Sequence, residues 1–158
     1  MKKILSASIL SLVIASPALA ASGETETLST GLLNAVNIKA GDDSYSVNHF
    51  KMTSVVQKST HELFKVGDVM ALNCVGTNYL VNKESTVEGN CVIKDASGDA
   101  YLASYSRKGV MGQQGAGSQT IKGLSGKYVG LSGTCTYEAK YAQNDGTYIA
   151  TTAKCKYK

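Results

Sequence analysis

Four cysteines, Cys74, Cys91, Cys135 and Cys155, constrain this 158-residue chain more than any other feature, because each pair brackets a turn between alternating stretches. Residues directly opposite one another in an antiparallel hairpin have position numbers that sum to a constant. Met70, Leu72 and Cys74 share one face of a strand, Cys91 and Ile93 share one face of the next, and Asn82-Lys83 lies midway. Folding there sets Cys74 opposite Cys91 and Leu72 opposite Ile93. Cys135, Tyr137, Ala139 and Tyr141 alternate in the same way before the turn residues Asn144-Asp145-Gly146. Beyond that turn, Ile149, Ala153 and Cys155 return opposite Tyr141, Tyr137 and Cys135. Of the three pairings open to four cysteines, this register selects Cys74–Cys91 and Cys135–Cys155, both facing the apolar side. The competing zinc reading lacks any short Cys-x-x-Cys chelate, and no cysteine lies in a motif that would lower its pKa for redox work.

Structural disulfides imply an oxidising compartment, and the start of the chain supplies a route to one. Lys2-Lys3, an apolar stretch from Ile4 to Ile14, Pro17 and the small-x-small run Ala18-Leu19-Ala20 predict a signal peptide over residues 1–20, cleaved after Ala20. No cysteine stands at the cleavage point to carry a lipid. No later run approaches the roughly 20 apolar residues of a spanning helix, so the mature protein is expected to be periplasmic or secreted, without a transmembrane segment. Cleavage removes two lysines and no acid, which takes the formal charge from +4 to +2. With lysines scattered along the chain, nucleic acid is not an expected partner. Lys154, Lys156 and Lys158 alternate along the last strand and read as the solubilising face of an edge strand.

Hydrophobic residues at 43% and charged residues at 18% exclude disorder, and heptads are missing. Residues 21–45 are polar, with a turn at Gly41-Asp42-Asp43-Ser44, and read as a loosely ordered segment. Strands are predicted at about 46–58, 69–81, 87–95, 100–107, 118–122, 127–142 and 147–157, with one short helical turn from Ser59 to Phe64. The fold class is therefore all-β: a single antiparallel barrel of about eight strands over 46–158, with a two-sheet β-sandwich as the alternative. The long run 127–142, with Gly126, Gly130 and Gly133 suited to bending at a corner, favours the barrel.

The near repeat Gly123-Leu124-Ser125-Gly126 and Gly130-Leu131-Ser132-Gly133 brackets Lys127-Tyr128-Val129. It is not a phosphate loop, because Ile121 stands where the motif needs Gly and Tyr128 where it needs Ser or Thr. Neither Ser125 nor Ser132 sits in a Gly-x-Ser-x-Gly elbow. Together with the stretch Cys91 to Asp99, which carries Asp95, Gly98 and Asp99, the run Gly126-Lys127-Tyr128-Val129-Gly130-Leu131-Ser132-Gly133 resembles a pattern of small exported bacterial proteins. Those proteins are similar to the eight-stranded barrels of allene oxide cyclases and dirigent proteins. The resemblance spans about residues 70–141 and implies the barrel more than an activity. Allene oxide cyclases close an unsaturated fatty-acid epoxide and dirigent proteins steer the coupling of phenolic radicals. No catalytic residue of those families is carried over to a position here.

Chemistry-bearing clusters are sparse. His49 and His61 are the two histidines, with only Glu62 close to either as a second ligand, and Asp42-Asp43 and Asp95/Asp99 fall in turns where Asp caps its own backbone. No metal site and no cofactor are expected. Tyrosine is the skewed component, nine against two Phe and no Trp. Tyr101, Tyr105, Tyr137 and Tyr141 occupy the apolar face by register and are the expected ligand-binding residues, since phenol rings present both apolar faces and hydroxyl groups. The expected function is a non-enzymatic exported barrel that binds a small apolar or aromatic ligand, or a protein partner, through its mouth and the loop Gly109 to Gly117. One alternative is a shape-directed isomerase or cyclase, marked by Glu138 or His49 buried beside a cavity. Another is an inhibitor or surface-interaction protein.

Overall fold

The computed structural model describes residues 22–110, 115–141 and 147–158. The expected signal peptide, the turn Asn144-Asp145-Gly146 and the centre of the loop Gly109 to Gly117 lie outside the described residues. Eight strands follow in chain order: β1 Gly23–Ala40, β2 Asp43–Ser59, β3 Val69–Val81, β4 Glu84–Lys94, β5 Ala100–Val110, β6 Gly115–Gly123, β7 Ser132–Tyr141 and β8 Tyr148–Tyr157. Every neighbouring pair is antiparallel, and β1 also pairs with β8, so the sheet closes into a barrel. No helix among the described residues is long and apolar enough to cross a membrane.

The hairpin arithmetic holds residue by residue. Cys74 faces Cys91 and Leu72 faces Ile93, while Cys135, Tyr137 and Tyr141 face Cys155, Ala153 and Ile149. Both disulfides are formed, Cys74–Cys91 and Cys135–Cys155. Asn82 and Lys83 both adopt left-handed backbone, φ 52° and 68°, the twist that a two-residue hairpin turn requires.

Three expectations are corrected. Residues 23–40 are not loosely ordered; they form the strand that closes the barrel against β8. The pattern of β1 is inverted relative to an ordinary strand, because Thr25, Thr27, Ser29 and Gly31 point inward while Leu28, Leu32 and Val36 point out. The run 127–142 is not one strand. A single 3-10 turn at Gly126–Tyr128 and the left-handed Gly126 and Gly130 carry the chain out of the sheet before β7 begins. Finally, β8 is no edge: it pairs with both β7 and β1, and its lysines simply face water, Lys156 3.4 Å from Glu24.

One end of the barrel is plugged. The β2–β3 connection folds back as a turn, with the Phe64 N–H donating to the His61 carbonyl at 3.1 Å, and delivers Phe64, 3% exposed, under the strands. Phe64 stacks on Tyr157 and Tyr128 at 4.9 and 5.5 Å, and Tyr101 meets Phe64 and Tyr128 edge-on. Offset and edge-on pairs at these separations are the favourable arrangements for aromatic quadrupoles. The opposite end, where β3 and β4 join and β7 finishes at Tyr141, is the barrel mouth.

Candidate functional site

Beneath the mouth lies a cavity of about 90 Å³ lined by inward residues of all eight strands except the plugged lower turns. All four singled-out tyrosines line it, at different depths. Tyr101, 4% exposed, forms the floor with Tyr157, its hydroxyl 3.4 Å from the Met70 sulfur. Burial, with Tyr157, Tyr128 and Asp95 nearby, pushes the Tyr101 phenol well up. Tyr105 and Tyr137 stand above, edge to face at 6.5 Å, and Tyr141, 44% exposed, sits at the rim.

Glycines set the poses of the two middle rings. A Cβ at Gly76 or Gly89 would collide with the Tyr105 hydroxyl, and one at Gly117 would collide with the Tyr137 ring. Each ring therefore lies flat across a neighbouring strand that lacks a side chain at that position. The Tyr105 hydroxyl donates to the Val75 carbonyl at 3.4 Å. Burial raises the Tyr105 phenol to about 12, with Tyr137 and Tyr141 adding to the shift. Burial also raises the Tyr137 phenol, while the Arg107 guanidinium pulls it back.

The remaining lining is apolar or weakly polar: Phe50, Met52, Ile121 and both disulfides deeper down, with Ser29, Ser54, Gln119 and Thr151 among them. Ser29 donates to the Ser54 hydroxyl at 2.9 Å, and Thr25 shares a 3.1 Å hydrogen bond with Tyr157 below. Among the described residues Arg107 is the one charged side chain in the lining, and no Asp, Glu, Lys or His borders the cavity. Sequence reasoning passed over Arg107, although its parity with Tyr101 and Tyr105 along β5 places it on the same face.

The residues weighed for catalysis lie elsewhere. Glu138 points outward and is exposed, which corrects the expectation that it could be buried beside a cavity. His49 is on the outer face of β2, where Nε2 lies 2.6 Å from Asn73 Oδ1. His61 is buried in the plug against Tyr157 and Phe64; its Nδ1 accepts from the Leu63 N–H at 3.2 Å, and its Nε2 has no partner among the described residues. No group of three or more His, Cys, Asp or Glu side chains among the described residues could hold a metal ion.

The glycine-rich motif and the Asp95/Asp99 turn meet at the plugged end. Lys127 Nζ lies 2.8 Å from Asp95 Oδ2 and 5.0 Å from the Tyr128 ring centre. Asp95 Oδ1 accepts from the Ser97 hydroxyl and N–H and from the Asp99 N–H, and Asp99 accepts from the Lys127 N–H at 3.2 Å. A Cβ at Gly126 would occupy the space of the Asp99 carboxylate. Burial works to raise the Asp95 carboxyl, but hydrogen bonds from Lys127 and Ser97 together with the lysine charge outweigh it and hold the group far below the usual carboxylate range. These residues are a latch that fixes Tyr128, 1% exposed, under the barrel.

Fold and site together define a closed eight-stranded antiparallel barrel, pinned by two disulfides and carrying a tyrosine-lined cavity open at one end. The solved structure of a pterocarpan synthase dirigent protein is similar, with a TM-score of 0.54 over 96% of each chain and 7% sequence identity. The likeness is one of fold, a dirigent-like barrel. No protein-family model matches the chain, and no curated protein matches it.

Proposed function

We propose that this chain is an exported barrel, released by cleavage after Ala20, that takes a small apolar or aromatic molecule into its cavity without altering it chemically. The observation that carries the reading is the convergence of Tyr101, Tyr105, Tyr137 and Tyr141 on one cavity with an open mouth. Concave, mostly apolar sites with a few placed polar groups are the usual form of a small-molecule site. A cavity of about 90 Å³ is smaller than the ~150 Å³ engineered cavity that holds benzene, so it suits one ring or a short chain, with the rest of the ligand at the rim. The two disulfides fit an oxidising, extracellular or periplasmic setting.

A cyclase or isomerase of the allene oxide cyclase kind is less well supported, since Glu138 and His49 are outside the barrel and the described lining offers no acid and base in partnership. A protein partner draws on a different observation. Val36, Ile38, Val47 and Val75 are 49–72% exposed on the outer face of β1–β3, and contiguous apolar surface of this kind marks interaction sites.

Native mass spectrometry of the protein purified from an exporting host tests the cavity reading. A small co-purifying mass, released on denaturation and competed by single-ring aromatics, is the expected result. An empty barrel that also ignores added aromatics would overturn it.

A further inference from the structure

The sequence contains one arginine among its 16 basic residues, and that arginine is the residue that enters the cavity. Fifteen lysines are left for the rest of the chain, and among the described residues none borders the cavity. Arg107 follows Tyr101, Ala103 and Tyr105 along the inward face of β5, and it stands one step nearer the mouth than Tyr105. It is half-buried, and no ion pair to it forms among the described residues. Across β4 its register partner is Val87, which is apolar. Its charge reaches the Tyr137 hydroxyl, which it favours in the ionised form. A guanidinium in a concave, aromatic-lined site, with no carboxylate paired to it among the described residues, is a preorganised fork for a planar anion.

We propose that the molecule held by this barrel is an amphipathic monocarboxylate, whose ring or short chain enters the cavity and whose carboxylate is held at the mouth by Arg107. The proposal rests on the cavity reading above and adds the charge of the ligand to it. The ring or chain replaces water against Phe50, Met52 and Ile121. Tyr137 and Tyr141 offer phenolic donors toward the headgroup, so a carboxylate oxygen left over from the guanidinium fork has partners. A neutral ligand of the same shape would leave the guanidinium unpaired on forming the complex, and discrimination of that kind is what buried polar groups provide.

The test is a matched pair, 4-phenylbutyrate and 4-phenylbutan-1-ol, titrated into the isotope-labelled mature protein and followed by nuclear magnetic resonance. The Met52, Ala103 and Ile121 methyl signals report the cavity. The expected result is that both ligands shift these methyls, the acid binding about tenfold tighter or more, as a charge-assisted hydrogen bond supplies. In Arg107→Gln the acid falls to the affinity of the alcohol while the alcohol is unchanged; Arg107→Lys keeps part of the preference. The acid's advantage should also shrink as salt is raised, because the mouth is open to solvent. Equal affinities in the wild type, or a preference that survives Arg107→Gln, would overturn the anchor and leave the cavity reading standing. Methyls that respond to neither ligand would overturn the cavity reading, and the anchor with it. Arg107 lies outside the core, so unchanged backbone spectra in Arg107→Gln will separate loss of the anchor from loss of the fold.

Discussion

Replacing Asp95 by Asn probes the latch at the plugged end. The substitution keeps the shape and the Oδ1 acceptor that Ser97 and Asp99 use, but it turns Oδ2 into an amide facing the Lys127 ammonium 2.8 Å away. A hydrogen bond to a charged group contributes about 1.5–3 kcal/mol where water is excluded. The Asp95 side chain is 10% exposed but Lys127 is 39% exposed, so solvent screening trims this toward the lower half. The expected cost is about 1.5–2 kcal/mol at neutral pH, a fall in Tm of roughly 6 °C for a domain of this size. Lys127→Met should cost a similar amount, since it also strips the cation from the Tyr128 ring. A double-mutant cycle should return a coupling of about 1 kcal/mol. The pH dependence carries the sign. The folded carboxyl lies far below the unfolded value of about 3.9, so its stabilisation is present above that value and is lost as pH falls below about 4. Urea denaturation of wild type and Asp95→Asn from neutral pH down to acid should therefore show two curves converging as pH drops. Equal stabilities within about 0.5 kcal/mol at neutral pH, or parallel acid limbs, would refute the latch, because surface changes of no structural consequence stay within that range.

Four further outcomes follow from the same geometry. The Tyr105, Tyr128 and Tyr157 phenols are raised to about 12, chiefly by burial; their contribution is complete below the unfolded value of about 10 and is lost as pH rises through 12. Part of the tyrosinate absorbance should therefore appear only abruptly, on alkaline unfolding; a rise completed while the protein is still folded would contradict the plug. Each disulfide closes a loop of 17 or 20 residues, so reduction should lower stability by about 3 kcal/mol per bridge, read by denaturation with and without reductant after mass spectrometry confirms two bridges. Gly117→Ala places a methyl 2.6 Å from the Ser106 carbonyl and into the Tyr137 ring; overpacking should cost about 1–3 kcal/mol, and the Tyr137 resonances should move. Phe64→Ala removes the centre of the plug and should cost about 3–5 kcal/mol by calorimetry.

Hairpins and cysteine pairings were legible in the sequence because they are local. A two-residue period and a turn at its midpoint determine which side chains meet, and Cys74–Cys91 and Cys135–Cys155 needed nothing from the rest of the molecule. The face carrying Tyr101, Tyr105, Tyr137 and Tyr141 was legible for the same reason, and so was Arg107, had parity been followed two residues beyond Tyr105. Only tertiary structure could decide how the sheet ends. β1 was illegible because its inward residues up to Gly31 are Thr, Ser and Gly while Leu28, Leu32 and Val36 face outward, an inversion that makes sense only once β8 lies beside it. The glycine-rich motif gave no hint of its role, since Lys127 finds Asp95 across 32 positions of chain, after β5 and β6 have been laid between them. The depth of each tyrosine was equally non-local: Tyr101 became floor and Tyr141 rim because Phe64, from a loop remote from both in sequence, closes one end of the barrel and not the other. Alternation assigns a face to a residue, but closure of the sheet and the plug assign its distance from water.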